Sequence, residues 1–95
     1  MKKTEQAPIC RQFGEHLAKI RQAQNFSQLK LSLESGLARS YIGDIERGVR
    51  NPTLVNIFRI ADTLKVDVRV LFEFERQSGD LMSDMKVGSG APGES

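Results

Sequence analysis

The chain has 95 residues, 39% of them hydrophobic and 6% aromatic with no tryptophan, and a formal net charge of +2. That length allows one domain with a single small core, marginal by itself and in need of tight helical packing or a dimer partner. No apolar run approaches the roughly 20 residues of a membrane-spanning helix, and "MKKTEQAPIC" has no apolar segment behind its lysines, so it is not a secretory signal and the expected location is cytoplasmic.

Residues 1–8 read as a flexible arm ending at Pro8. Phe13, Leu17 and Ile20 then recur with helical period, predicting a helix from Ile9 to Gln24 that Asn25 and Phe26 break. Ser27 is placed to cap the next element. The run "LKLSL", Leu29 to Leu33, alternates and by itself reads as a strand. It has no β-branched or aromatic member and no second strand to pair with, while Ser27 offers a start and Gly36 a stop. A helix is therefore expected, with Leu31 deepest and Leu29 and Leu33 at its margins.

From Arg39 to Arg47 the apolar residues Ile42 and Ile45 share one face, Gly48 closes the helix, and Asn51-Pro52 marks a turn. Thr53 can cap a fourth helix in which Leu54, Ile57, Phe58, Ala61 and Leu64 repeat at helical spacing. Asp67 can cap a short fifth helix carrying Val68, Leu71 and Phe72. Five short helices joined by short turns predict an all-α domain over residues 9–75. Residues 76–95 are acidic and rich in Gly and Ser, and are expected to form a flexible tail. Gly88, Gly90 and Gly93 match a G-x-G-x-x-G string there, but that fingerprint requires a preceding strand and a following helix, so it is rejected.

Enzymatic chemistry finds few resources in this chain. Cys10 is the only cysteine and His16 the only histidine, which excludes an internal disulfide and leaves any usual metal set short. Asp44 and Glu46 are two apart on one helix and do not face each other. No catalytic group, cofactor or small-molecule ligand is expected. Charge is more informative. Residues 11–72 hold ten Lys/Arg against six Asp/Glu, whereas from residue 73 onward there are five acids and two bases. A basic core with an acidic tail suits a polyanion binder.

Two short helices joined by a glycine-containing turn, the second opening on basic and hydrogen-bonding residues, is the helix-turn-helix arrangement. Arg39 suits the O6/N7 edge of guanine, Ser40 a base edge or phosphate, and Tyr41 a phosphate, sugar or thymine methyl. Asp44 suits cytosine N4 or the exclusion of wrong bases. Arg47, Arg50 and Asn51 follow the helix and are candidates for holding the DNA backbone.

The segment "SQLKLSLESGLARSYIGDIERGVRNPTL" resembles the helix-turn-helix of the Xre/Cro/C1 repressor-like family. It is especially similar to the controller proteins of restriction–modification systems, whose core reads R-[ST]-Y-I-S-x-[IV]-E-R-x-x-R-N. The resemblance spans Arg11 to Phe74 and implies a five-helix, lambda-repressor-like domain that binds double-stranded DNA and regulates transcription. It assigns base contacts to Arg39, Ser40, Tyr41 and Asp44, and backbone contacts to Ser27, Gln28, Arg47, Arg50 and Asn51. Arg21 and Glu46 match a structural salt bridge between the first and third helices.

Three departures stand out. Gly43 replaces a serine, which weakens the helix by up to about 1 kcal/mol relative to alanine. Ala38 stands where a capping side chain is usual. Leu29 and Leu33 replace polar residues, either as marginal packing or as a partner-facing patch. Val68, Leu71, Phe72 and Phe74 are more apolar than a terminal helix needs, so part of that face is expected to close the core and the rest to form a homodimer interface. A homodimer on operator half-sites about 34 Å apart is the expected assembly. The alternative is an antitoxin-like or adaptor module that uses the same surface to bind protein.

Overall fold

The computed structural model describes residues 7–75. Four α-helices and one 3-10 helix follow in order: α1 (Pro8–Ala23), α2 (Gln28–Ser35), α3 (Arg39–Arg47), α4 (Leu54–Leu64) and the 3-10 helix Val68–Phe72. Most boundaries have a local cause. Pro8, expected to end an arm, is instead the first helical residue of α1, where its fixed φ suits the helix and its missing N–H goes unneeded. The remaining expectations for the arm and tail, the glycine string included, fall outside the described residues.

Ser27 and Thr53 each cap a helix through the side-chain oxygen, accepting from Lys30 N at 2.9 Å and Asn56 N at 3.1 Å. The "LKLSL" run is helical, lying within α2 between the Ser27 cap and the left-handed Gly36. In α2 Leu31 is fully buried, while Leu29 and Leu33 are 49% and 73% exposed.

The expected fifth helix is a short 3-10 helix, so the described residues hold four α-helices rather than five. Val70 N bonds to Asp67 O at 2.9 Å and Glu73 N to Val70 O at 3.2 Å, both three residues back. Five residues with two valines are too short and too β-branched to repay α-helix nucleation. The same turn corrects a second expectation: Leu71 has no exposed surface and belongs to the core, not to an interface. His16 on α1 pins the turn by donating from Nε2 to Val70 O at 2.8 Å.

The core joins Phe13 and Leu17 of α1, Leu31 of α2, Ile42 and Ile45 of α3, Ile60, Ala61 and Leu64 of α4, and Leu71. Burial of each large side chain contributes about 1.5–3 kcal/mol. α1 packs chiefly on α3, and α2 packs on both α3 and α4. The α1–α3 approach is backbone-close: a Cβ on Gly14 would lie 2.1 Å from the Ile45 carbonyl oxygen. Gly48 ends α3 at φ 80°, and a Cβ there would lie 2.6 Å from Arg11 Cα. α3 is thus set against α1 at a distance that only glycine permits.

Candidate nucleic-acid interface

The inner face of α3 is Ile42 and Ile45, both fully buried. With that face anchored, the 3.6-residue period turns Arg39 and Ser40 outward, and both are exposed. Tyr41 is half-buried, its ring packed on the core cluster. Ala38 opens the helix with extended backbone and no side-chain cap, so the first amides of α3 are not bonded by its side chain.

The far end of α3 is built differently. Arg21 reaches from α1 and pairs with Glu46 through two bonds, Nε to Oε2 at 2.6 Å and Nη2 to Oε1 at 3.0 Å. Its Nη1 also donates to the Phe26 carbonyl at 2.7 Å. Gln28, the first residue of α2, donates from Nε2 to Glu46 Oε1 at 2.9 Å. One carboxylate therefore ties together α1, α2 and α3. The side chains of Arg21 and Glu46 are only 9% and 7% exposed, so each charge depends on the other for solvation.

Between these ends lies a charged cluster. Asp44 accepts from Arg47 one turn later and pairs with Arg50 Nη2 at 3.6 Å. The Arg50 guanidinium also sits 5.2 Å from the Tyr41 ring centroid. Tyr41 Oη in turn accepts from Asn56 Nδ2 of α4 at 2.9 Å. Gly43 lies beneath this cluster. A Cβ there would come within 3.3 Å of Arg47 Nη1, so its absence leaves room for that guanidinium, while Gln28 Oε1 at 3.8 Å would be in ordinary contact.

Of the expected contact residues, the structure brings Arg39, Ser40, Tyr41, Asp44, Arg47 and Arg50 onto or beside the outer side of α3, with Asn51 exposed just beyond. Ser27 is exposed at the start of α2, with its oxygen engaged as a cap, and Gln28 is engaged by Glu46. Asn56 joins the cluster without any local mark in the sequence. A polar residue in the first turn of a helix is unremarkable, and its partner is fifteen positions away.

The apolar residues expected at an interface differ in exposure. Val68 and Phe74 pack half-buried on the core, and Phe72 is 47% exposed with its ring 5.2 Å from that of Phe13. The larger exposed apolar surface lies on α4, where Leu54, Val55 and Phe58 are 68%, 67% and 46% exposed. Among the described residues, no three or more His, Cys, Asp or Glu come together as a metal site, and no helix is long and apolar enough to cross a membrane.

Two short helices set by a glycine turn, the second with its polar face open, define a helix-turn-helix domain. The helix-turn-helix family model matches residues 17–71, and the chain belongs to that family. Among its relatives is the control protein C.BamHI of Bacillus amyloliquefaciens, 46% identical over 63 residues that cover 65% of this chain and 78% of that protein. The restriction–modification controller protein C.AhdI of Aeromonas hydrophila superposes with a TM-score of 0.66 at 45% identity, over 67% of this chain and 97% of that one. SinR, a master regulator for biofilm formation solved in complex with DNA, superposes at 0.61 with 27% identity, over 64% of this chain and 98% of that one.

Proposed function

We propose that the chain is a sequence-specific DNA-binding transcriptional regulator of the restriction–modification controller type. It acts as a homodimer on a palindromic or pseudo-palindromic operator, with α3 in the major groove. The observation that carries this reading is the division of α3. Ile42 and Ile45 are wholly buried, while Arg39 and Ser40 stand exposed at its N-terminal end, where recognition helices meet base edges. Arg39 presents a guanidinium fork suited to guanine. Arg47, Arg50 and Asn51 supply phosphate contacts at the flank. The names of C.BamHI and C.AhdI support the controller role, and the SinR complex supports DNA as the ligand.

The dimer face in this reading moves from Leu71 to the exposed α4 residues Leu54, Val55 and Phe58, together with Phe72. Selection of bound duplexes from a random pool tests the function. It should return two half-sites related by two-fold symmetry, and Arg39→Ala should relax the preference at one base position of each half-site while leaving non-specific binding in place. A pool that emerges unenriched defeats the regulator reading. It would then favour the antitoxin-like or adaptor alternative, for which the exposed Leu29 and Leu33 on α2 offer a protein-binding surface.

A further inference from the structure

We infer that Asn56 is a positioning residue that fixes the hydrogen-bond polarity of Tyr41, so that the Tyr41 hydroxyl meets DNA as a donor. This rests on the regulator reading and adds a residue of α4 to the reading surface. A phenol has one proton to give and two lone pairs to accept with. Asn56 Nδ2 lies 2.9 Å from Tyr41 Oη and donates to it, which occupies a lone pair on the α4 side. The proton must then point elsewhere. The ring is held by packing on the core and carries the Arg50 guanidinium 5.2 Å from its centroid. Asn56 is half-buried in the first turn of α4, where the bond from its backbone N–H to Thr53 Oγ1 at 3.1 Å anchors the main chain that carries the amide.

With the ring held and the amide donating, the hydroxyl proton is satisfied by an acceptor: a phosphate oxygen, guanine O6 or N7, adenine N7, or thymine O4. Cytosine N4, a donor, meets only the remaining lone pair and leaves that proton unmatched, which costs affinity in a desolvated interface. Asn56 thereby contributes to selectivity without touching DNA.

The test is a cycle of variants, Asn56→Ala and Asn56→Asp, each made with Tyr41 intact and with Tyr41→Phe. Affinity is measured for the duplex selected by the unmodified chain, and folding is checked by thermal melting. Asn56→Ala should weaken binding about three- to thirtyfold with Tyr41 present, the range of one hydrogen bond to a charged or neutral acceptor. In the Tyr41→Phe background the same change should cost less than about twofold, because the coupling has gone. Asn56→Asp offers only an acceptor, turns the hydroxyl inward, and should weaken binding further; the effect of its added charge is read in the Tyr41→Phe background. Equal losses in both backgrounds, or no loss with Tyr41 present, would overturn the inference. An unmodified chain with no sequence preference would instead refute the regulator reading itself, and that result is read before any variant is made.

Discussion

The two ends of α3 are opposite solutions in one nine-residue helix. At its C-terminal end Glu46 is buried and bonded to Arg21 and Gln28, and Gly48 seats the backbone against α1. At its N-terminal end Ala38 leaves the helix without a side-chain cap, and Arg39 and Ser40 are exposed. The closed end sets where the helix lies. The open end keeps its donors available for a ligand. A reading surface gains from this division, because rigidity is placed where it does not compete with the contacts to be made.

The comparison can be broken most severely at the closed end. Glu46→Ala should strand the buried Arg21 charge and destabilise the domain by about 3–5 kcal/mol. For a domain of this size that lowers the melting temperature by well over 10 °C, at about 4–8 °C per kcal/mol. A shift of a degree or two would mean that the network is ornamental. Next in size is Gly14→Ala, whose Cβ meets the Ile45 carbonyl oxygen at 2.1 Å. Forcing α1 and α3 apart should cost about 1–3 kcal/mol, measured by denaturant unfolding.

At the open end the expected pattern reverses. Arg39→Ala removes an exposed side chain, so the melting temperature should hold while discrimination between operator and non-operator falls by about 1–3 kcal/mol. Ala38→Ser tests the missing cap: it should stabilise the free protein by about 1 kcal/mol, seen as a higher melting temperature.

The smallest effect lies in the 3-10 turn. The Arg69 side chain hydrogen-bonds the Asp67 carboxylate and lowers its pKa to about 2, with a backbone bond from Arg69 adding to this. A lowered carboxylate pKa favours the folded state above the unfolded value of about 4, and that contribution is lost as pH falls towards 2. Asp67→Asn should therefore flatten the acid limb of the stability curve slightly and leave neutral-pH DNA binding unchanged. Asp67 is solvent-exposed, which keeps the effect small.

Much of this architecture is legible in the sequence because its signals are local. The Ile42 and Ile45 spacing, the Ser27 and Thr53 caps and the glycine stops each act within one turn of the chain, and the Ser27 cap with the Gly36 stop outweighs the strand-like alternation of "LKLSL". The fifth helix is misjudged from sequence because Asp67 caps either helix type, and only the length and β-branching of Val68–Phe72 separate them. Leu71 is misassigned to an interface because periodicity shows that a residue is apolar without showing which neighbour covers it. The Arg21–Glu46 pairing comes from family resemblance, not from spacing. Asn56 stays hidden for a related reason: its bond to Tyr41 joins α4 to α3, and no local pattern encodes a contact between helices.

The central claim is that the open end of α3 reads DNA, and a salt titration of binding tests it most directly. Fluorescence anisotropy with a selected duplex and a scrambled one should show affinity falling steeply with salt in both. The log–log slope should reach about 0.9 per phosphate contact, with the selected duplex bound more tightly throughout. Failure to retain either duplex at low salt, or identical curves for the two, would contradict it.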